Sequence, residues 1–366
     1  MDTAVYAGTF DLITNRHVRI IEQALKIFEK VIVVIVSNPI ERTMFTLEQR
    51  LDIAKATLSF LPVSIEVLPD DLYLVDYAKS KNAKFLIRGI RDDMDINYEY
   101  CLEKANKKIN SEIATIYLMP DNIYEGINSN LIKSLLGKKG WIKAIDGSIP
   151  KATANALKQK YVIQRFKKAA EEGIVIPHKV DLIIKRISEV YSQNAYHNYD
   201  HIIFMLEMLD MEKKYLDDNI MYLAAIMHDL DRSVEKCAKE AAAIIKSYGS
   251  KLSTSESHKD RIERLILATA HSRDVKLVEL MKEDEKILAS IDLMILASNS
   301  EDYNNYANNI RKEYNDFSDE IFNQSRKQFL ESMLSKNVIF PSEDYEAKYG
   351  IIARQNMNLE IARLSV

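Results

Sequence analysis

Cysteine is nearly missing from this chain: Cys101 and Cys237 are its two, far apart and without a CxxC partner. That argues against a disulfide framework and against a cysteine-built metal site. An excess of one charge is lacking too. Fifty Lys and Arg against 54 Asp and Glu leave a formal −4 over 366 residues, a poor balance for bulk nucleic-acid binding. No apolar run reaches the length of a membrane span. The first residues enter a strand pattern at once, without the charged and apolar regions of a secretory leader. The expectation is a cytoplasmic protein with neither nucleic acid nor membrane as partner. What is present is ordinary for a globular chain, 47% hydrophobic and 28% charged, and its length suits two domains better than one.

Residues 4–17, AVYAGTFDLITNRH, organise the first half. A short apolar run meets Gly8, then a polar loop, and at His17 a helix begins with an apolar stripe at Ile20, Ile21, Ala24, Leu25 and Phe28. This is a buried strand, a glycine turn and a helix start, whose amides bind phosphate readily. Thr9 and His17 add groups suited to phosphate chemistry. Further strands are expected at Val31–Val36, Val63–Leu68, Lys84–Ile87 and Ile113–Leu118, with helices between them, one opened by a Thr46/Gln49 capping box. Regular β-α alternation implies a parallel sheet with helices on both faces and ligands beyond the carboxyl ends of the strands. Polar residues gather at those ends: residues 38–42 after the second strand, Arg88, Gly89 and Arg91 after the fourth, and residues 121–129 after the fifth.

GTFDLITNRH resembles the signature of phosphopantetheine adenylyltransferases, among the HxGH-type nucleotidyltransferases. The likeness continues through NPIERTMFTLEQR, the stretch YLVDYAKSKNAKFLIRGIRDDMDINYEYCLEKANKK, IYLMP and INSNLIK. It implies a Rossmann-like α/β nucleotidyltransferase domain over residues 1–160 that moves an adenylyl group from ATP, with Mg²⁺, to phosphopantetheine. By the resemblance, His17 and Thr9 stabilise charge on the α-phosphate, in a loop whose Gly8 and Phe10 also border the nucleotide. Arg91 and Ser129 hold the phosphates, Tyr98, Glu99 and Tyr124 lie around the adenosine, and Arg42, Leu74, Arg88 and Asn106 face the acceptor. The family also implies a homo-oligomer, commonly a hexamer. The chain departs from the pattern at Arg16, which stands where the family has glycine and must either turn away or fill part of the site. Glu41 replaces a phosphate-facing lysine, Tyr73 a leucine and Ala105 a methionine, and Asn128 and Asn130 flank Ser129 where serines are usual. Two alternatives stay open: a different phosphorylated acceptor, or a nucleotide-sensing domain that no longer catalyses.

Beyond a helical linker expected at 161–177, interrupted by EEGIVIP, strand patterns vanish. No Ser/Gly-rich tether is visible there. His197 and His201 in YHNYDH share a helix face. An apolar helix ends in His228 and Asp229, and Asp292 lies within the apolar run ASIDLMILA. A buried aspartate is costly unless paired or metal-bound, and two imidazoles with two carboxylates suit Mn, Fe, Mg or Zn. The order H…HD…D resembles the HD superfamily of metal-dependent phosphohydrolases, which implies an all-α HD domain over 178–366 with His201, His228, Asp229 and Asp292 as metal ligands. The YHN form is similar to that of cyclic-nucleotide phosphodiesterases and implies His197 as general acid. His271 in LILATAHS is a further ligand or contact candidate, with a surface role equally open.

Overall fold

Val31 to Ile35 have no exposed surface at all, because this β-branched run forms a strand covered on both faces. The structure is a computed structural model that describes residues 2–37, 42–90, 93–119, 128–171, 174–215, 218–246, 257–270 and 280–365. It divides into two units, Met1–Leu157 and Lys158–Val366.

The first unit carries β1 (Thr3–Gly8), β2 (Lys30–Ile35), β3 (Ser64–Val67), β4 (Ala83–Gly89) and β5 (Ala114–Leu118) in one sheet of order β3-β2-β1-β4-β5. Every pairing is parallel, as the β-α alternation predicts. Side chains alternate between faces. Ala4, Tyr6, Val31, Val33 and Ile35 join one apolar cluster, and Val5, Ala7, Ile32 and Val34 the other. Helices α1 (Asn15–Leu25), α2 (Leu47–Leu58), α3 (Leu74–Ser80), α4 (Asp93–Ile109), α5 (Ser129–Leu135) and α6 (Trp141–Ile145) follow in order. The expected capping box is present: Thr46 N–H donates to Gln49 Oε1 (3.0 Å) and Gln49 N–H to Thr46 Oγ1 (3.2 Å). Strand order reverses at β1, so the carboxyl ends of β1 and β4 flank the crevice where such sheets bind ligands.

The two units divide inside α7 (Lys151–Glu171). The stretch expected as a helical linker, 161–177, is helical as far as Glu171. Val162 and Phe166 are fully buried, and Val175 bridges Ile245 with Ile176 N–H donating to Ile244 O (2.8 Å).

Helices α8 (Val180–Tyr191), α9 (Tyr199–Met211), α10 (Asn219–Met227), α11 (Val234–Ile244), α12 (His258–Ala268), α13 (Glu283–Asp292), α14 (Ser300–Glu313), α15 (Asp319–Leu334) and α16 (Glu343–Leu364) follow among the described residues of the second unit. Every residue of α10 is buried, which places it at the centre of the unit. Asn198, Asp218, Ser233, Ser257, Asn299 and Ser318 cap helix starts with side-chain oxygens. No helix among the described residues is long and apolar enough to cross a membrane.

Candidate functional sites

A cleft of about 700 Å³ opens at the carboxyl ends of the strands. The loop that follows β1 forms its floor, with Gly8, Thr9, Phe10 and His17 all lining it. Helix α1 starts two residues before His17, at Asn15, with Thr14 as its N-cap. His17 thus occupies the third helical position, where the backbone N–H groups have no partner inside the helix. Its Nδ1 accepts from Thr14 N–H at 2.9 Å, with Thr14 Oγ1 also 2.9 Å away. A backbone N–H can only donate, so Nδ1 is an acceptor and the ring proton lies on Nε2. The Phe10 ring meets the imidazole edge-to-face at 5.4 Å and fixes its plane.

Around this floor the charges come in pairs. Arg88 grips Glu99 through Nε (2.7 Å) and Nη2 (2.5 Å) and donates to Ala7 O at 3.3 Å. Lys133 pairs with Asp11, whose carboxylate also accepts from Met44 N–H (2.7 Å) and Phe45 N–H (2.8 Å). Ser129 opens α5 and donates to Leu12 O at 3.1 Å. Leu74, Arg88, Glu99, Asn106 and Ser129 line the cleft. Arg42 does not. It is exposed and is not among the described residues that line the cleft. Arg91, Tyr124 and Glu41 lie outside the described residues, as does the side chain of Tyr98. Arg16 takes the second of its two options. It is 9% exposed, lines the cleft, and donates from Nη2 to Ile90 O at 3.2 Å. The guanidinium therefore crosses the crevice between α1 and the end of β4. Gly89 stays bare beside it, since a Cβ there would stand 2.3 Å from Ile20 Cδ1.

In the second unit, the four residues expected to ligate a metal converge from α9, the end of α10 and the end of α13. His201 Nε2 lies 3.1 Å from Asp292 Oδ1 and 3.5 Å from Asp229 Oδ2. His228 Nε2 lies 2.9 Å from Asp229 Oδ2 and 3.4 Å from Asp292 Oδ1, and the two Nε2 atoms are 3.4 Å apart. Ligand atoms about 2.1 Å from one ion stand roughly 3.0–3.4 Å apart, and His201, His228 and Asp229 offer ligand atoms close enough together to share a divalent cation, with Asp292 beside both imidazoles. Two further observations agree. Asp229 Oδ2 is buried without a hydrogen-bond partner: it sits near the ring nitrogens but not in line with them. His228 Nδ1–H donates to Ala225 O at 2.9 Å, which turns Nε2 toward ligation. Burial alone would lower the His228 pKa, yet Asp229 and Asp292 outweigh it and hold the pKa well above the usual range. Asp229 is held far below its usual range against its own burial, by His228 and His197. Concentrated negative charge of this kind is what a divalent ion neutralises.

His197 does not share a helix face with His201, because α9 starts at Tyr199 with Asn198 as its cap; it lies just before the helix, its ring 6.0 Å from that of His201. Its Nδ1 is 2.6 Å from Glu313 Oε2, and Glu313 Oε1 also accepts from Tyr196 N–H (2.6 Å) and His197 N–H (2.8 Å). Desolvation would lower the His197 pKa, but Asp229 and Glu313 raise it on balance. His271 lies outside the described residues. Two residues that no local sequence signal marks also stand here: Glu313, at the end of α14, and, in the first unit, Arg50 within α2.

The cytidylyltransferase-like family matches residues 5–135. A phosphopantetheine adenylyltransferase of Nautilia profundicola is 44% identical over 137 residues, covering 37% of this chain and 88% of that protein. Proteins of the same name from Carboxydothermus hydrogenoformans and Helicobacter hepaticus are 38% and 37% identical, covering 44% and 43% of this chain and 97% and 93% of their own lengths. Over this N-terminal region the chain belongs to the phosphopantetheine adenylyltransferase family.

Proposed function

We propose that the first unit transfers the adenylyl group of ATP to the phosphate of 4′-phosphopantetheine, giving dephospho-coenzyme A and pyrophosphate. His17 carries this reading. With Nδ1 committed to Thr14 N–H, its Nε2–H is a donor in the cleft, suited to the α-phosphate oxygen that gains charge as an acceptor phosphate oxygen attacks the α-phosphorus and pyrophosphate leaves. Thr9 supplies a second donor. Mg²⁺ arrives with ATP as part of the substrate. Catalysis of this type is positioning plus electrostatics, without a covalent enzyme intermediate. Purified protein with Mg-ATP and phosphopantetheine should release pyrophosphate, and His17→Ala should remove most of that rate. A folded wild-type protein that forms no dephospho-coenzyme A defeats the acceptor assignment. The exposed position of Arg42 and the commitment of Arg88 to Glu99 favour one second reading, the same chemistry on another phosphorylated acceptor, which a panel of such acceptors separates.

For the second unit the proposal is a metal-dependent phosphohydrolase of the HD type, with His201, His228, Asp229 and Asp292 as ligands. A divalent ion held there would supply an activated water for attack on phosphorus. Glu313 orients His197 and stabilises its charged form, so that Nε2–H can protonate a leaving oxygen. A panel of phosphomonoesters, phosphodiesters and phosphoanhydrides, each assayed with Mn²⁺, Fe²⁺, Mg²⁺ and Zn²⁺, tests this. Hydrolysis that survives Asp229→Ala sinks it.

A further inference from the structure

Phe10 is one of two residues other than glycine with positive φ among those described, at φ 44°. A bulky side chain held in that region is strained and persists only where its surroundings over-determine it. Here buried charges bracket it. On the N-terminal side Arg50, 3% exposed, reaches from α2 and donates through Nη1 to Thr9 O (2.5 Å) and Val36 O (2.9 Å). Val36 N–H in turn donates to Gly8 O at 2.9 Å. One guanidinium thus ties the ends of β1 and β2 together at the place where the sheet stops and the loop begins. On the C-terminal side Asp11 is held by Met44 N–H, Phe45 N–H and Lys133. Between these clamps lie the Thr9 hydroxyl and the Phe10 ring that braces His17.

We propose that Arg50 is a positioning residue for the transfer reaction. It touches no reacting atom, but it holds Thr9 O, and through it the strained Thr9–Phe10 turn, in the geometry that presents Thr9 and His17 to a nucleotide triphosphate. A carbonyl held by a buried cation cannot rotate to relieve the Phe10 strain; a carbonyl without that donor can. This inference rests on the nucleotidyltransferase reading of the cleft. It adds a residue outside the cleft lining to the residues on which the rate depends.

The test uses the full chain, with Arg50→Met to keep the stem and remove the donors, and Arg50→Lys to leave one donor nitrogen. In Arg50→Met, amide exchange over residues 9–12 should accelerate at least about tenfold while Val31–Ile35 stay protected. The ATP Kd and KM should stay within about threefold while kcat falls by about 30-fold, since misplacing a reacting group by about 1 Å costs up to about a hundredfold. Arg50→Lys should fall between. Wild-type exchange and kcat in both folded variants overturn the proposal. So does exchange that rises equally in residues 9–12 and 31–35, which would make Arg50 a general stabiliser. Should Arg50→Met fail to fold, Arg50→Lys decides by the same readings. A wild-type protein that releases no pyrophosphate refutes the transfer reading alone, and the exchange pattern still decides what Arg50 holds.

Discussion

Arg16→Ala is the substitution whose outcome says most about the first unit. The guanidinium donates to Ile90 O from a position 9% exposed, and it spans the crevice at the strand-order reversal, where a nucleotide is expected to enter. Entry has to break or displace that bond. A hydrogen bond from a charged donor contributes about 1.5–3 kcal/mol, and about 1.4 kcal/mol is a factor of ten in Kd. Removing the side chain should therefore tighten Mg-ATP binding at least about tenfold. The position is the second of α1, where alanine suits the helix, so the cost to folding is the lost bond and buried stem, about 2–4 kcal/mol. Titration calorimetry with Mg-ATP reads the affinity, and a thermal melt checks that the variant is folded. An unchanged Kd would mean that the guanidinium lies outside the nucleotide's path. A weakened Kd would make Arg16 a phosphate ligand, and either result refutes the reasoning. Turnover that appears only in Arg16→Ala would instead identify the natural chain as a nucleotide sensor.

Three further outcomes follow from the second unit. Protein purified in Mn²⁺ or Zn²⁺ should retain a divalent ion by elemental analysis, and Asp229→Ala should lose it, because the Asp229 carboxylate, 2.9 Å from His228 Nε2, is one of the three donors that lie close enough together to share an ion. Glu360→Gln should lower stability by about 3–5 kcal/mol, since Arg326, 8% exposed, donates from Nε to Glu360 Oε1 at 2.8 Å and would keep its charge without a counter-ion. Asp210→Asn tests pH linkage. Burial raises the Asp210 pKa, but hydrogen bonds from Arg165 and Tyr222 lower it on balance, so its contribution is present above the unfolded value of about 3.9 and fades as pH falls through the lower folded value. The carboxylate is 34% exposed, and solvent screening limits the effect to about 1 kcal/mol. Urea midpoints of wild type and variant should differ at pH 7 and converge under acid conditions. A gap that widens below pH 4 would show that the sign is wrong.

The sheet was legible because its signals are local. A β-branched run, a glycine and an apolar stripe sit next to one another in sequence, and the Thr46/Gln49 box is complete within four residues. Asp292 was legible for the opposite reason, as an acid that made no sense in an apolar run without a partner. Arg50 and Glu313 were not legible. Arg50 acts on a carbonyl 41 residues away, and on α2 an arginine reads as one more solvated charge. Glu313 meets His197 across 116 residues, and both acids and bases surround it in sequence. Such residues take their meaning from the fold, and only their burial betrays them.

One rule of helix polarity explains why the same side chain plays different parts in the two sites. A helix start leaves N–H groups without partners, and a helix end leaves carbonyls. His17 sits in the first turn of α1 and meets an N–H, so its Nδ1 must accept and Nε2 keeps the proton. His228 caps the end of α10 and meets the Ala225 carbonyl, so its Nδ1 must donate and Nε2 is the nitrogen turned toward Asp229 and Asp292. A histidine at a helix start is thereby prepared to donate to a phosphate, and one at a helix end to bind a cation. Position along the helix is readable from the apolar pattern. The tautomer, and with it the chemical role, follows from the sequence further than motif spacing alone suggests.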